Sequence, residues 1–185
     1  MINETTTRKR ITWIQLYWLM AMFILIGSGF LALAHPGEQF MSVASYLGLA
    51  MLLTGCINLY IYHKQRNLLH GSHWLLADGM STTLLSLFPL FNQMIQPAML
   101  PLFFGVWELF SGILKAIDAS ELEDEQVDGW RWFRNIGRIE ILSGVSSLLK
   151  PIDELMGIHV IVAIILFIQG LGFLFKILIY QKIKH

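Results

Sequence analysis

The chain has 185 residues, of which 55% are hydrophobic and 14% are charged. Soluble globular domains contain about 25% charged residues, so the composition excludes an ordinary soluble domain. Lys and Arg number 13, as do Asp and Glu, so the formal net charge is zero, and a single cysteine excludes an intrachain disulfide.

The first predicted element is a membrane span over residues 11–34, which contain no Asp, Glu, Lys or Arg. A spanning helix needs about 18 or more apolar residues, and this run exceeds that length. Together with the basic Arg8, Lys9 and Arg10 before it, the run imitates a secretory signal peptide. Its length exceeds the about 7–15 residues of a signal-peptide core, so we expect it to be retained as a span.

Five further apolar blocks follow along the chain, and each predicts another span. They cover residues 41–62, 72–91, 97–117, 135–150 and 156–180. The predicted fold is therefore an all-α bundle of six transmembrane helices that form one integral membrane domain over 1–185.

Recurring glycines and prolines group these spans into three copies of one helical hairpin. The hairpins cover about 11–62, 72–117 and 130–181. Gly29 precedes Pro36 by seven residues, and Gly144 precedes Pro151 by the same distance. The middle copy also ends at a proline, but it has Thr82 in place of the glycine. Hairpins of this kind predict parallel repeats that are related by an axis along the membrane normal.

The basic residues predict the orientation of the bundle. Twelve of the 13 Lys and Arg fall on one side of such a six-span chain, and only Lys150 falls on the other. Positive residues that flank spans stay in the cytoplasm, so we expect both termini there. Lys115 and Lys176 lie near inner helix ends, and we expect their long stems to extend the ammonium groups towards water.

Small residues on the predicted spans indicate close helix packing, because small side chains let helix backbones approach each other in lipid. Glycines seven residues apart share one helix face, and several pairs have that spacing. The predicted packing glycines are Gly29, Gly48, Gly55, Gly105, Gly112, Gly137, Gly144 and Gly170.

Three carboxylates lie within the predicted spans, at Asp78, Glu108 and Glu140. At about 1.5 Å per helical residue, all three fall near the middle of a hydrocarbon core about 30 Å thick. An ionised carboxylate is costly there, so each should face the bundle interior. Two interpretations stay open: a proton or cation relay, or structural pairing between helices, with Arg138 and Lys115 as candidate charge partners.

The histidines support two further hypotheses. His35 and His159 lie towards the predicted outer side, where acidification would charge an imidazole, so they are candidates for outer pH sensing. His70 and His73 have a weak metal-ligand spacing with no cysteine or carboxylate beside them. We therefore predict no metal site and no cofactor.

A repeated Trp, Gly and Pro hairpin, followed by a return helix with Gly-x6-Gly spacing, resembles the HdeD-like acid-resistance family of membrane proteins. The resemblance covers about residues 13–180. It implies a small six-span protein of the prokaryotic plasma membrane that is linked with survival of acid stress. Thr82, a longer second outer loop and an acidic segment at 118–128 depart from that pattern.

The sequence therefore favours a non-enzymatic membrane protein that contributes to acid or envelope stress tolerance. The alternative is a small transporter or channel that moves protons or a small solute by way of the intramembrane carboxylates. No phosphate-binding loop, zinc-protease motif or nucleophile elbow is present. The expected partners are the lipid bilayer, further copies of the chain in a homo-oligomer, and a cytoplasmic protein at the 118–128 segment. No nucleic-acid partner is expected, since membrane topology accounts for the basic residues.

Overall fold

A computed structural model describes residues 4–36, 40–65, 72–91, 99–149 and 157–182. Within these ranges the regular structure is helical, as predicted. The helices are α1 (Glu4–Ala34), α2 (Phe40–Gln65), α3 (Ser72–Leu90), α4 (Leu100–Asp124), α5 (Trp130–Ser147) and α6 (Ile158–Lys182).

Four of these helices are long and apolar enough to cross a membrane on their own. The spans lie at Trp13–Ala34 in α1, Val43–Lys64 in α2, Leu100–Asp124 in α4 and Ile158–Ile179 in α6. The other two, α3 and α5, have 19 and 18 residues and are not among these candidate spans, and α5 is the more polar of the two. Both helices pack against a longer neighbour, which covers the buried carboxylates Asp78 of α3 and Glu140 of α5.

The helices form a ring in chain order. Each helix packs on the next one, and α6 packs on α1, so the ring closes. The most extensive contacts join α2 with α3, α4 with α5, and α6 with α1. The two helices of each predicted hairpin do touch, but the tightest packing lies between consecutive hairpins rather than within them.

Glycines explain why these three helix pairs are the closest. A Cβ atom on Gly112 of α4 would lie 2.7 Å from the carbonyl oxygen of Gly137 on α5, and one on Gly144 would lie 2.7 Å from the backbone nitrogen of Leu109. Gly105 of α4 lies against Ser147 of α5 in the same way. These distances leave no room for a side chain, so the two backbones are in direct contact.

Glycines also lie at the other two interfaces, against backbone atoms between α2 and α3 and against side chains between α1 and α6. On α2, a Cβ atom at Gly48 would lie 2.5 Å from the backbone nitrogen of Leu90 on α3, and one at Gly55 would lie 2.9 Å from that of Thr83. Between α1 and α6, Gly29 faces the Phe167 ring and Gly170 faces Ile26. All eight glycines singled out in the sequence thus lie against a neighbouring helix.

The connection between α4 and α5 is shorter than the acidic segment predicted from sequence. Helix α4 continues to Asp124, so most of 118–128 is helical and the turn covers residues 125–129. Gly129 has φ of 104°, a left-handed conformation that glycine adopts without steric cost, and it starts α5. This turn packs on a small apolar cluster that includes Leu122, Phe133 and Ile179.

Candidate functional site: a buried charged network

The ring encloses a network of charged and amide side chains contributed by five of the six helices. Asp78 of α3 accepts a hydrogen bond from Asn58 Nδ2 of α2 at 2.9 Å. Its other oxygen accepts one from Ser111 Oγ of α4 at 3.2 Å. The Lys176 ammonium of α6 lies 3.5 Å from Asp78 Oδ2. Asp78 therefore joins three helices to its own.

The centre of the network is an ion pair between α4 and α5. Lys115 Nζ lies 2.7 Å from both carboxylate oxygens of Glu140, and it donates a hydrogen bond to Oε2. Lys115 is 5% exposed and Glu140 is fully buried. The same ammonium donates to Ser111 Oγ at 2.7 Å and to Gln169 Oε1 of α6 at 3.2 Å. All three donor positions of the ammonium therefore have acceptors.

The third carboxylate, Glu108, is attached to this centre by one amide. Gln169 Nε2 donates to Glu108 Oε2 at 2.8 Å, while the carbonyl oxygen of Gln169 accepts from Lys115 and Ser111. Glu108 is fully buried, and its second oxygen, Oε1, has no hydrogen-bond partner among the described residues. Gln169 is thus the side chain that connects Glu108 to the ion pair.

Helical spacing explains why these groups meet. Glu108, Ser111 and Lys115 are three and four residues apart, so they line one face of α4. Gln169 and Lys176 are seven apart and share a face of α6. The inward face of α4 therefore presents Glu108, Ser111 and Lys115. The inward face of α6 presents Gln169 and Lys176.

The network contains more carboxylates than ammonium groups. It contains three carboxylates, Asp78, Glu108 and Glu140, and two ammonium groups, Lys115 and Lys176. With every group ionised, the sum is −1. Burying an unbalanced charge is costly, so this arrangement favours the uptake of one proton or one small cation.

Sequence reasoning missed several members of this network. Lys176 was expected only to extend towards water, whereas Lys115 was also a candidate charge partner; both ammonium groups turn inwards and are buried. Asn58 and Gln169 are uncharged, and the search for intramembrane charges passed over them. A polar amide within an otherwise apolar span is a sequence pattern that could have indicated both.

Glycine also provides space at the ion pair. A Cβ atom on Gly172 of α6 would lie 3.0 Å from Glu140 Oε1 and 3.3 Å from Lys115 Nζ. Gly172 is not among the predicted packing glycines, because it lies outside the seven-residue spacing.

Arg138 does not join the network. It is exposed on the outer side of α5, and Lys115 is the cation that pairs with Glu140. Arg138 lies two positions before Glu140, which places their side chains on opposite sides of the helix. Thr82, which replaces the repeat glycine, accepts a hydrogen bond at 2.8 Å from the buried Trp107 indole.

The histidines lie apart from the charged network. His35 is half-buried at the end of α1, where Nδ1 lies 3.0 Å from the carbonyl oxygen of Leu31. His159 is half-buried in the first turn of α6. Of the two histidines with metal-ligand spacing, His73 is exposed and His70 lies outside the described residues. In the described part of the chain, no three His, Cys, Asp or Glu side chains are grouped as a metal site would require.

A second polar layer lies at the end of the bundle where α4 meets α5. Trp74 Nε1 donates to Glu121 Oε1 at 2.6 Å, which ties α3 to α4. Arg134 pairs with Glu123 and also lies 4.3 Å from the centroid of the Trp130 ring. Part of the acidic segment is therefore neutralised within the chain.

Comparison with known families gives one match. Residues 20–91 match a short repeat of unknown function, DUF308. The matched segment begins within α1 and ends after α3, so it contains most of the first hairpin and helix α3, which packs closely on α2. With four candidate spans, the chain is a multi-span membrane protein that carries a DUF308-like repeat. No curated protein and no solved structure gave a match.

Proposed function

We propose that this protein is a non-enzymatic component of the prokaryotic plasma membrane that contributes to acid or envelope stress tolerance. The DUF308-like repeat and the resemblance to the HdeD-like family support the assignment. The observation that carries it is the Lys115–Glu140 ion pair, held inside the helix ring and bonded to Ser111 and Gln169.

The geometry favours a structural use of the network. Each carboxylate accepts at least one hydrogen bond from a different helix. The network therefore ties the five helices from α2 through α6 together at membrane depth. In this proposal the protein acts as a compact membrane component, either alone, as a homo-oligomer, or with a cytoplasmic protein at the 118–128 segment. Both termini then face the cytoplasm.

Survival after acid shock tests this function. We expect a deletion strain to survive less well than its parent, and the intact gene to restore survival. Lys115→Met should fail to restore it, because Glu140 would be left buried without its cation. Lys64→Gln is the matched control, since it removes an exposed cation from the end of α2, and it should restore survival fully.

Membrane levels of each variant must be measured beside survival. If the deletion strain survives acid as well as its parent, the stress role is wrong. If Lys115→Met reaches normal membrane levels and restores survival fully, the ion pair is not what the function needs.

A second candidate, a proton or small-solute transporter, is favoured by one specific observation. Glu108 Oε1 is fully buried without a partner among the described residues, and the network carries more carboxylates than ammonium groups. A carboxylate with a free oxygen can take up and release a proton without breaking the Lys115–Glu140 pair.

Proton flux into liposomes separates the two candidates. A transporter predicts flux above that of protein-free liposomes, abolished by Glu108→Gln and by Glu140→Gln. The structural role predicts flux equal to protein-free liposomes for the intact protein, with a lowered unfolding temperature for Glu140→Gln.

A further inference from the structure

The outer face of α5 carries a line of polar residues followed by a line of apolar ones. Arg131, Asn135 and Arg138 are exposed and follow each other at offsets of four and three residues, so they lie along one face. Leu142, which is 67% exposed, and Val145 continue the same line towards the other end of the helix. One face of α5 is therefore polar at its start and apolar beyond.

Two of the three arginines of α5 have no acidic partner among the described side chains. Arg134 pairs with Glu123, whereas no ion pair or hydrogen bond of the Arg138 guanidinium occurs within the described part of the chain. Arg131 lies 5.3 Å from the centroid of the Trp130 ring and has no acidic partner among the described side chains either. This face thus presents two cations to its surroundings.

The depth of Arg138 favours contact with an anion at the membrane boundary. Arg138 lies about 12 Å along the helix axis from Trp130, the first residue of α5. Half of a hydrocarbon core is about 15 Å thick, so this distance is most of the way to the middle of the membrane. Ile139 and Leu142 beside it are exposed, as side chains in contact with lipid are. Helical side chains tilt towards the helix N-terminus, which here leads the guanidinium back to the predicted cytoplasmic headgroups. A cation in that position is stabilised by a phosphate at the boundary.

We propose that this face of α5 binds an anionic phospholipid of the cytoplasmic leaflet. Its phosphate lies between Arg131 and Arg138, with the Asn135 amide as a further donor, and its acyl chain lies along Leu142 and Val145. Arginine suits this role because its planar guanidinium donates two parallel hydrogen bonds to a phosphate.

A second copy of the chain fits the same face less well. The exposed carboxylates among the described side chains are Glu121, Asp124, Glu125 and Asp128, all at the inner end of the bundle. None of them lies at the depth of Arg138, whereas the phosphate of a leaflet lipid lies within reach of both arginines. The charge pattern therefore selects a lipid.

Lipid retention in native mass spectrometry tests the proposal. The intact protein, purified in detergent, is titrated with phosphatidylglycerol or phosphatidylcholine of the same acyl chains. We expect phosphatidylglycerol to bind more tightly, and Arg131→Gln with Arg138→Gln to weaken its binding about 10- to 30-fold, since each basic residue near the surface contributes about a factor of five. Soluble glycerol phosphate should not displace the lipid, because it lacks the acyl chain.

Lys64→Gln is the matched control, because Lys64 is an exposed cation at the end of α2. It should leave phosphatidylglycerol binding within about twofold, well under the loss expected at a lipid site. Arg138→Lys keeps the charge and should retain part of the affinity, which separates lipid binding from a general loss of fold. Equal binding of the two lipids overturns the proposal. So does an equal loss with Lys64→Gln, or unchanged affinity in the double arginine variant.

Discussion

At the scale of single residues, the Lys115–Glu140 pair controls the stability of the bundle interior. Removing one partner of a buried ion pair leaves an uncompensated charge and costs about 3–5 kcal/mol, whereas replacing both partners by apolar residues is often close to neutral. Ser111 and Gln169 occupy the remaining donors of the ammonium, so the pair is fully hydrogen-bonded on the lysine side.

Lys115→Met should therefore lower the free energy of unfolding in detergent by about 3–5 kcal/mol. Combining it with Glu140→Leu should recover at least half of that loss. Arg138→Gln, on the exposed side of α5, should change stability by less than about 0.5 kcal/mol. Denaturant unfolding followed by tryptophan fluorescence measures all three. A loss for Lys115→Met no larger than for Arg138→Gln would show that the pair does not form.

Helix rise alone predicted Asp78, Glu108 and Glu140 as buried groups at similar depth, and the structure brings them into one network. Their partners could not be predicted in the same way. The rotation of α6 about its axis decides whether Lys176 faces lipid, water or Asp78, and no local pattern in an apolar helix reports that rotation. The uncharged Asn58 and Gln169 became significant only once the neighbouring helices were in place.

At the scale of helices, backbone contact between paired helices determines the architecture. The return helix of one hairpin presents its glycine face to the first helix of the next hairpin, as Gly112 does to Gly137. In lipid there is little hydrophobic gain from helix association, so close packing between such faces supplies much of the stabilisation.

Gly144→Ala should destabilise the α4–α5 pair. A Cβ atom there would lie 2.7 Å from the Leu109 nitrogen and 2.8 Å from the Gly105 carbonyl oxygen, both backbone atoms that cannot rotate away. The expected loss is about 1–3 kcal/mol, as for other overpacked sites. Gly27→Ala is the control, because nothing lies within 4 Å of its Cβ position.

Thermal unfolding in the same detergent compares the two alanine variants. Gly27→Ala should match or exceed the wild type, since alanine is the better helix former by about 1 kcal/mol. A Gly144→Ala variant as stable as Gly27→Ala would contradict the direct backbone contact.

The seven-residue glycine spacing predicted which faces pack, but not which helix each face meets. Chain order suggested the hairpin partner, whereas the closest partner is the next repeat. The end of α4 was also placed too early, because the acidic residues after Lys115 were interpreted as a loop. Glu121 and Glu123 instead reach Trp74 and Arg134, and these contacts support the last helical turns.

At the scale of the whole molecule, the ring packs each predicted hairpin against the next. A single hairpin leaves its glycine face uncovered, and the next copy covers it, as in other repeat proteins. The segment that matches the DUF308 repeat, 20–91, includes such a contact between α2 and α3. The return helix of the third hairpin, α6, packs on α1 and closes the ring around the charged network.

Ring closure is the central claim, and disulfide crosslinking between α1 and α6 tests it most directly. A Cβ atom at Gly170 would lie 2.8 Å from Ile26 Cγ1, so Ile26→Cys with Gly170→Cys should place two thiols within bonding distance. Cys56, which is exposed, is first replaced by alanine. The control pair is Gly27→Cys with Gly170→Cys, because position 27 faces open space.

After mild oxidation in membranes, the account predicts that the 26–170 pair gives a crosslinked monomer whose altered gel mobility reverts on reduction, and that the 27–170 pair stays uncrosslinked. Equal crosslinking of both pairs, or none for 26–170 in a protein that unfolds normally, would contradict a ring closed by α1 and α6.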